Sequence, residues 1–142
     1  MDSITLTDDL DRVDWKELAR VFELAPLEKR HPEDLQKAFQ KSYLSVFAFD
    51  RGRLAGAVRA VSDGVYYATI FDVVVLPDYQ RKGIGTALMK ALLKKMTFEK
   101  IFLTSVPGKE PFYRKLGFYK HHTAMALYAT PQPYVKIGVL SR

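Results

Sequence analysis

One segment, residues 73–89, constrains the fold more than any other part of the chain. It begins with an apolar run, Val73-Val74-Val75-Leu76, continues through a basic turn containing Gly83 and Gly85, and ends in an amphipathic stretch. This pattern predicts a buried strand, a glycine turn and a helix in direct succession. The first backbone N–H groups of a helix lack partners and lie at the positive end of its dipole. Because cationic side chains come directly before this helix, the segment favours a ligand that carries phosphate.

The composition indicates an ordinary globular protein. The chain has 142 residues, of which 48% are hydrophobic and 27% are charged, and we expect a single domain over residues 1–142. The absence of cysteine excludes disulfides, thiolate catalysis and cysteine metal sites, and it fits a reducing compartment, so we expect a cytoplasmic protein. We also expect no metal. The sequence has no apolar run of about 18 residues and no basic start followed by an apolar core, so we expect neither a membrane span nor a signal peptide.

The net charge of the chain is 22 − 16 = +6. It fits either a soluble basic surface or a surface that attracts an anionic ligand. The basic residues are dispersed, as Lys94, Lys95 and Lys100 illustrate, and no nucleic-acid motif accompanies them. We therefore do not expect a nucleic acid as partner.

Apolar periodicity and turn residues predict the element order β-α-α-β-β-β-α-β-α-β. The predicted strands span residues 3–7, 43–49, 54–61, 66–76, 99–106 and 118–129, and the predicted helices span residues 14–25, 32–42, 83–96 and 110–116. A helix between the strands at 66–76 and 99–106 implies a parallel crossover in an otherwise antiparallel sheet, which is an α/β (α+β) fold with helices flanking a mixed sheet. The tail, residues 130–142, is apolar in its second half and is expected to form an extra strand or to pack on a partner subunit in a homodimer.

Two common phosphate-binding motifs do not fit the glycine turn. The dinucleotide fingerprint places its glycines directly after the strand, with an acid about 20 residues further on. Here residues 77–82 intervene, and residues 102–105 contain no acid. The Gly-Lys-Ser/Thr sequence of the P-loop is also absent, so neither a nicotinamide cofactor nor a nucleoside triphosphate is favoured.

Two motifs indicate a different cofactor. The first is Gln80-Arg81-Lys82-Gly83-Ile84-Gly85, with Val75-x-Pro77 as the lead-in, and the second is Phe112-Tyr113-Arg114-Lys115-Leu116-Gly117-Phe118. They resemble the Q/R-x-x-G-x-G/A signature and the F-Y-x-K-x-G-F segment of the GNAT superfamily of acyl-CoA-dependent N-acetyltransferases. Residues 68–89 especially resemble plant plastid serotonin N-acetyltransferases and their bacterial relatives. The resemblance implies the GNAT fold and transfer of an acetyl group from acetyl-CoA, as co-substrate, to a primary amine in a ternary complex.

The resemblance also implies which residues bind acetyl-CoA. The backbone N–H groups from Arg81 through Thr86 would cradle the pyrophosphate, with Gly83 and Gly85 allowing close approach, and Arg81 and Lys82 would add charge. Gln80 belongs to the same signature. The backbone of Val73 and Val75 would pair with the pantetheine arm and polarise the thioester carbonyl. Many relatives also have an asparagine about seven residues before the motif tyrosine, which residues 106–111 lack, so Ser105 or Lys109 is an alternative contact.

Two residues are candidates for the proton transfers. The attacking amine must be neutral, and Asp72 is a carboxylate in an apolar run, so we predict it as the base, with a water chain or a purely structural role for Asp72 as alternatives. Tyr113 matches the tyrosine that protonates the departing thiolate in relatives. Glu110, His121 and His122 are weaker candidates for the base, and His31 is a candidate for contact with the substrate.

The acceptor is the least determined part of the prediction. A small amine is favoured if aromatic residues such as Phe22, Phe39 and Tyr43 rim an enclosed pocket. A wide groove would instead favour a protein lysine or N-terminus. A non-catalytic acyl-CoA-binding module is the remaining alternative.

Overall fold

A five-stranded sheet with the order β1-β2-β3-β4-β5 organises the first of the two units into which the chain divides, Met1–Leu103 and Thr104–Arg142. The computed structural model describes residues 3–25 and 28–142. The elements of the first unit are β1 (Ile4–Thr7), α1 (Trp15–Leu24), α2 (Pro32–Gln40), β2 (Leu44–Asp50), β3 (Arg53–Ser62), β4 (Tyr67–Val75), α3 (Ile84–Lys94) and β5 (Lys100–Leu103). The second unit contains α4 (Glu110–Lys115) and α5 (Gln132–Lys136).

The sheet has the predicted mixed topology. Strands β1 to β4 pair antiparallel in sequence order. Residues 67–70 of β4 then pair parallel with residues 100–103 of β5, so that α3 is the crossover helix. The α/β (α+β) class and the parallel crossover are therefore confirmed.

Local signals in the sequence explain where the first two helices begin. The Asp14 carboxylate accepts hydrogen bonds from the backbone N–H groups of Lys16 (2.9 Å) and Glu17 (3.3 Å), which caps α1. Pro32 is the first residue of α2, a position where its missing N–H costs nothing.

The core of the first unit lies between the helices and the sheet. Phe22 of α1, Phe39 of α2 and Phe47 of β2 are at most 1% exposed. The side of α3 that faces the protein is equally closed, with Ile84, Leu88, Met89 and Leu92 all buried. Residues 76–83, which include a 3-10 helix at Pro77–Tyr79, connect β4 to the first turn of α3.

The predicted strand at residues 118–129 is wrong. The structure has no strand in this segment, and the side chains of Tyr119, Met125 and Leu127 are 95% or more exposed. A strand requires a partner backbone, and no ladder in the described residues includes this segment.

The tail also differs from the predicted extra strand. It contains the short helix α5, with Pro131 at the N-cap and Pro133 in the first turn, positions that suit a helix start. The rings of Tyr128 and Tyr134 pack edge to face, with centroids 4.6 Å apart. The homodimer and the single domain over residues 1–142 stay predictions.

Two features are absent from residues 3–25 and 28–142. None of the helices there is long and apolar enough to cross a membrane. No cluster of three or more His, Asp or Glu side chains there is arranged to hold a metal ion.

Candidate functional site

Strand β4 extends beyond the end of its parallel neighbour. The β4–β5 ladder ends at the pair Ile70 and Leu103, whereas β4 continues to Val75. On its other side β4 remains paired with β3, where Val75 lies opposite Gly56. Within the first unit, residues 71–75 therefore have a partner strand on one side only.

The open side of β4 carries the N–H groups of Val73 and Val75. The N–H of Leu76 donates to the carbonyl of Ala55 at 2.8 Å, so this N–H points towards β3. Because N–H groups alternate along an extended chain, those of Val75 and Val73 point to the opposite, open side. The Gln80 side-chain amide donates to the Val75 carbonyl at 3.0 Å, which fits this orientation.

The turn after β4 exposes the N-terminus of α3. Gly83 is the N-cap residue, with φ 84°, and no side chain caps the first turn. An added Cβ at Gly83 would meet no atom within 4 Å, so backbone conformation rather than space favours glycine there. Gly85 and Thr86 lie in the first helical turn and are partly buried. The first N–H groups of α3 are thus available to an anion.

Two exposed cationic residues, Arg81 and Lys82, precede this helix. The Lys82 ammonium lies 5.7 Å from the centroid of the Tyr79 ring. The Tyr79 hydroxyl donates to Oδ2 of Asp50 at 2.6 Å, and this hydrogen bond raises the pKa of Tyr79 above its ordinary value. The basic turn is therefore tethered to the end of β2 through Tyr79.

Asp72 lies in an ion-pair cluster that the sequence did not reveal. The Asp72 side chain is 8% exposed, and its Oδ2 accepts a hydrogen bond from Nε of Arg59 at 2.6 Å. Oδ1 accepts from Nη2 of Arg30 at 3.2 Å. We call Arg30, Arg59 and Asp72 the Asp72 cluster. Its two arginines lie 42 and 13 residues before Asp72, too far for any local sequence pattern to join them.

Arg30 also has a second carboxylate partner. Its Nη2 lies 2.7 Å from Oε2 of Glu28. Burial lowers the pKa of Arg30, but Glu28 and Asp72 outweigh this effect by stabilising the charged form, so the net direction is upward.

Tyr113 belongs to α4 in the second unit. Its ring lies 5.0 Å from that of Phe112 and 6.0 Å from that of Phe118, measured between centroids. Burial raises the pKa of the Tyr113 phenol. The hydroxyl therefore keeps its proton to a higher pH than an exposed tyrosine does.

The weaker candidates occupy ordinary positions. His31, His121 and His122 are exposed, and the Glu110 carboxylate accepts from the N–H of Gly108 at 2.8 Å. Phe22 and Phe39 belong to the core of the first unit. Tyr43 is 48% exposed.

Residues 16–126 match the family model described as "Acetyltransferase (GNAT) domain". The chain belongs to this GNAT acetyltransferase family. The resemblance noted in its two motifs is thereby confirmed.

Similar proteins extend this assignment. The GNAT chain is 35% identical over 113 residues to a protein of Porphyra purpurea named uncharacterized N-acetyltransferase ycf52, covering 78% of this chain and 60% of that protein. It is 34% identical over 108 residues to serotonin N-acetyltransferase 2, chloroplastic, of Oryza sativa subsp. japonica, covering 71% of this chain and 54% of that one. A solved GNAT family acetyltransferase from Streptococcus pneumoniae TIGR4 superposes with a TM-score of 0.74 at 25% identity, covering 89% of this chain and 99% of that one.

The chain spans little more than half the length of these two sequence relatives. Their whole activities therefore do not transfer with the family assignment. Since the rice relative is named chloroplastic, the cytoplasmic location of this chain stays a prediction.

Proposed function

We propose that this GNAT chain binds acetyl-CoA and transfers its acetyl group to a small primary amine by direct attack in a ternary complex. The observation that supports this most is the succession of two binding surfaces. The open edge at Val73 and Val75 comes directly before an uncapped helix N-terminus flanked by Arg81 and Lys82.

The two surfaces match the two polar parts of acetyl-CoA. The N–H groups of residues 81–86 would hold the pyrophosphate, assisted by the two exposed cations. The N–H groups of Val73 and Val75 suit the amide-rich pantetheine arm, because an amide chain can pair with an open strand edge. No metal is needed for either contact.

Each proposed residue then has a chemical role. Acetyl-CoA supplies an acetyl group that is activated as a thioester. An N–H group of residues 73–75 donates to the carbonyl oxygen as the amine nitrogen bonds to the carbonyl carbon and negative charge develops on that oxygen. Tyr113 is proposed, from its motif, to give its phenolic proton to the sulfur as the carbon–sulfur bond breaks. The amine nitrogen loses a proton in the same reaction.

The route by which the amine loses that proton has two candidates, Asp72 and a water chain. Both oxygens of Asp72 accept hydrogen bonds from guanidinium groups. Its carboxylate is thus engaged with the protein, which favours the water chain.

Thermal unfolding tests the cofactor. A ligand at 100 times its dissociation constant stabilises a protein by roughly 2.7 kcal/mol, a readily measured shift. Acetyl-CoA and CoA should each raise the unfolding midpoint, whereas NADH at the same concentration should not. A folded sample that responds to none of the three would refute the proposed cofactor.

Release of free thiol from acetyl-CoA tests the acceptor. Serotonin is a suitable first amine because the rice relative carries its name, and a lysine-containing peptide represents the protein acceptor. Turnover with serotonin or other small amines, but not with the peptide, would support the proposal. Turnover with the peptide alone would favour the protein acetyltransferase. Cofactor binding without turnover on any amine would favour a non-catalytic module.

A further inference from the structure

The register of β3 and β4 shifts immediately beside the open edge. Ala57 pairs with Val74 and Arg59 pairs with Phe71, so Asp72 and Val73 together face the single residue Val58. This is a β-bulge, which bends a strand and re-aims the residues next to it. Asp72 has φ 59°, in the left-handed region that few residues other than glycine adopt. Asp72 is therefore the residue on which the direction of Val73 depends.

The bulge is held by side chains from two other parts of the first unit. Arg59 comes from β3, with its guanidinium 5.2 Å from the Phe71 ring centroid and 5.8 Å from that of Phe39. Arg30 comes from the segment 28–31 that leads into α2, and its guanidinium lies 5.3 Å from the Phe22 ring centroid. Both guanidinium groups contact the Asp72 carboxylate. The cluster therefore joins segment 28–31 to the bulge.

Because the cluster is largely buried, the connection depends on each of its three charged side chains. The side chains of Arg59 and Asp72 are 15% and 8% exposed, whereas Arg30 is 28% exposed. Removing one partner of a buried ion pair leaves the others charged and uncompensated, which is strongly unfavourable. By contrast, the pair of Lys95 and Asp8 is half exposed, and pairs of that kind contribute little.

We propose that the Asp72 cluster is a clamp that fixes the β4 bulge and couples it to segment 28–31, which makes Asp72 a positioning residue for acetyl transfer rather than its base. The inference rests on the proposed function for its catalytic meaning, but the clamp itself is a property of the protein without ligands. Through the bulge, the clamp sets the direction of the Val73 N–H. Through Arg30, it holds the chain that enters α2.

Backbone hydrogen exchange of the ligand-free protein tests the clamp directly. Asp72→Asn keeps the size of the side chain, and asparagine tolerates the left-handed conformation, so the substitution removes mainly the charge. We expect the hydrogen-bonded N–H groups that border the two segments to exchange about tenfold faster or more, together, while β1 and β2 change less. These are the N–H groups of Asp34 and Leu35, which donate to the carbonyl of His31 in segment 28–31, and that of Leu76, which follows residues 73–75 and donates to Ala55. Asp8→Asn, the same chemical change at the exposed pair, should alter neither segment.

Three results would overturn the clamp. The two segments could keep their exchange rates, only one of them could change, or the whole sheet could accelerate equally, which would indicate global stability alone. If Asp72→Asn does not fold, Arg30→Gln provides the same comparison at the most exposed member of the cluster.

The pH dependence of turnover separates a positioning residue from a base. If the cluster acts as a clamp, Asp72→Asn should lower kcat/KM for serotonin by about 10- to 100-fold, and this factor should stay similar from pH 6.5 to 9.5. Arg59→Lys should also lower kcat/KM by a factor that does not depend on pH. A base predicts a loss that shrinks as pH rises and the amine deprotonates itself, with Arg59→Lys near the unaltered activity. That second pattern would refute the positioning role. If the unaltered protein neither binds acetyl-CoA nor acetylates serotonin, the proposed function fails while the exchange result still decides the clamp.

Discussion

Replacing Gly56 by alanine should reduce the stability of the chain and distort the edge of β4 that is proposed to bind acetyl-CoA. Gly56 lies in β3 opposite Val75, and an added Cβ would lie 2.8 Å from the carbonyl oxygen of Val74 and 3.1 Å from Cδ1 of Leu88. The first distance is shorter than real Cβ contacts allow, and its other atom belongs to the backbone. Either β4 or α3 must therefore move.

The size of the effect follows from these contacts. Overpacking of a tight core costs about 1–3 kcal/mol, whereas alanine recovers about 0.4–1 kcal/mol by restricting the unfolded chain. We expect a net loss of about 1–2 kcal/mol, which for a chain of this size lowers Tm by roughly 3–8 °C. Because Val74 lies between Val73 and Val75, the stabilisation by acetyl-CoA should shrink as well.

The matched control is Gly52→Ala in the turn between β2 and β3. Gly52 has φ 87° and no atom within 4 Å of an added Cβ, so alanine there is strained but meets nothing. It should lower Tm by a similar amount and leave the acetyl-CoA shift intact. Thermal unfolding of both variants, with and without acetyl-CoA, measures the difference. An unchanged Tm and an unchanged ligand shift in Gly56→Ala would refute the packing argument.

Three further predictions concern the proposed reaction. Tyr113→Phe should lower kcat by about 10- to 1000-fold with little change in acetyl-CoA affinity, as steady-state kinetics and calorimetry would show. The same change at the 95% exposed Tyr119 should leave both quantities unchanged. Full activity of Tyr113→Phe would remove Tyr113 from the mechanism. Burial raises the pKa of Tyr113, so its phenol keeps its proton as pH rises through the ordinary tyrosine value of about 10. In a kcat–pH profile, the decrease in kcat caused by deprotonation of Tyr113 should therefore occur only above that pH. A decrease well below pH 10 that is absent in Tyr113→Phe would contradict this. Lys82→Ala should weaken acetyl-CoA binding by about three- to tenfold at low salt and less at high salt, as titration calorimetry at two ionic strengths would show. Lys90→Ala, on the exposed side of α3, should not weaken binding. Equal effects of the two variants would indicate a general charge effect.

The sequence predicted the strand–turn–helix unit of β4 and α3 because its signals are local. The apolar run ends at Leu76, the glycines follow within nine residues, and the apolar side of α3 repeats at helical spacing. The structure adds what spacing could not supply, namely that β5 pairs only up to Ile70. The open edge depends on the length of a neighbouring strand, which no motif in β4 encodes.

The surroundings of Asp72, in contrast, could not be predicted from local signals in the sequence. An acidic residue in an apolar run indicates an unusual environment, which is why the sequence pattern drew attention to Asp72, whose catalytic role stays a prediction. Its surroundings depend on Arg30 and Arg59, which reach it only through tertiary structure. The same limit applies to residues 118–129, where the sequence predicted a strand but pairing decides whether one forms.

The unpaired side of β4 also makes the ligand-free chain vulnerable. A row of free N–H and C=O groups on a strand is a template on which another unfolded or partly folded chain can add a strand and aggregate. The left-handed kink at Asp72 interrupts the flat surface that such addition needs, and the Gln80 amide occupies the Val75 carbonyl. The residues proposed to shape this edge for acetyl-CoA are thus also expected to protect the ligand-free chain from self-association.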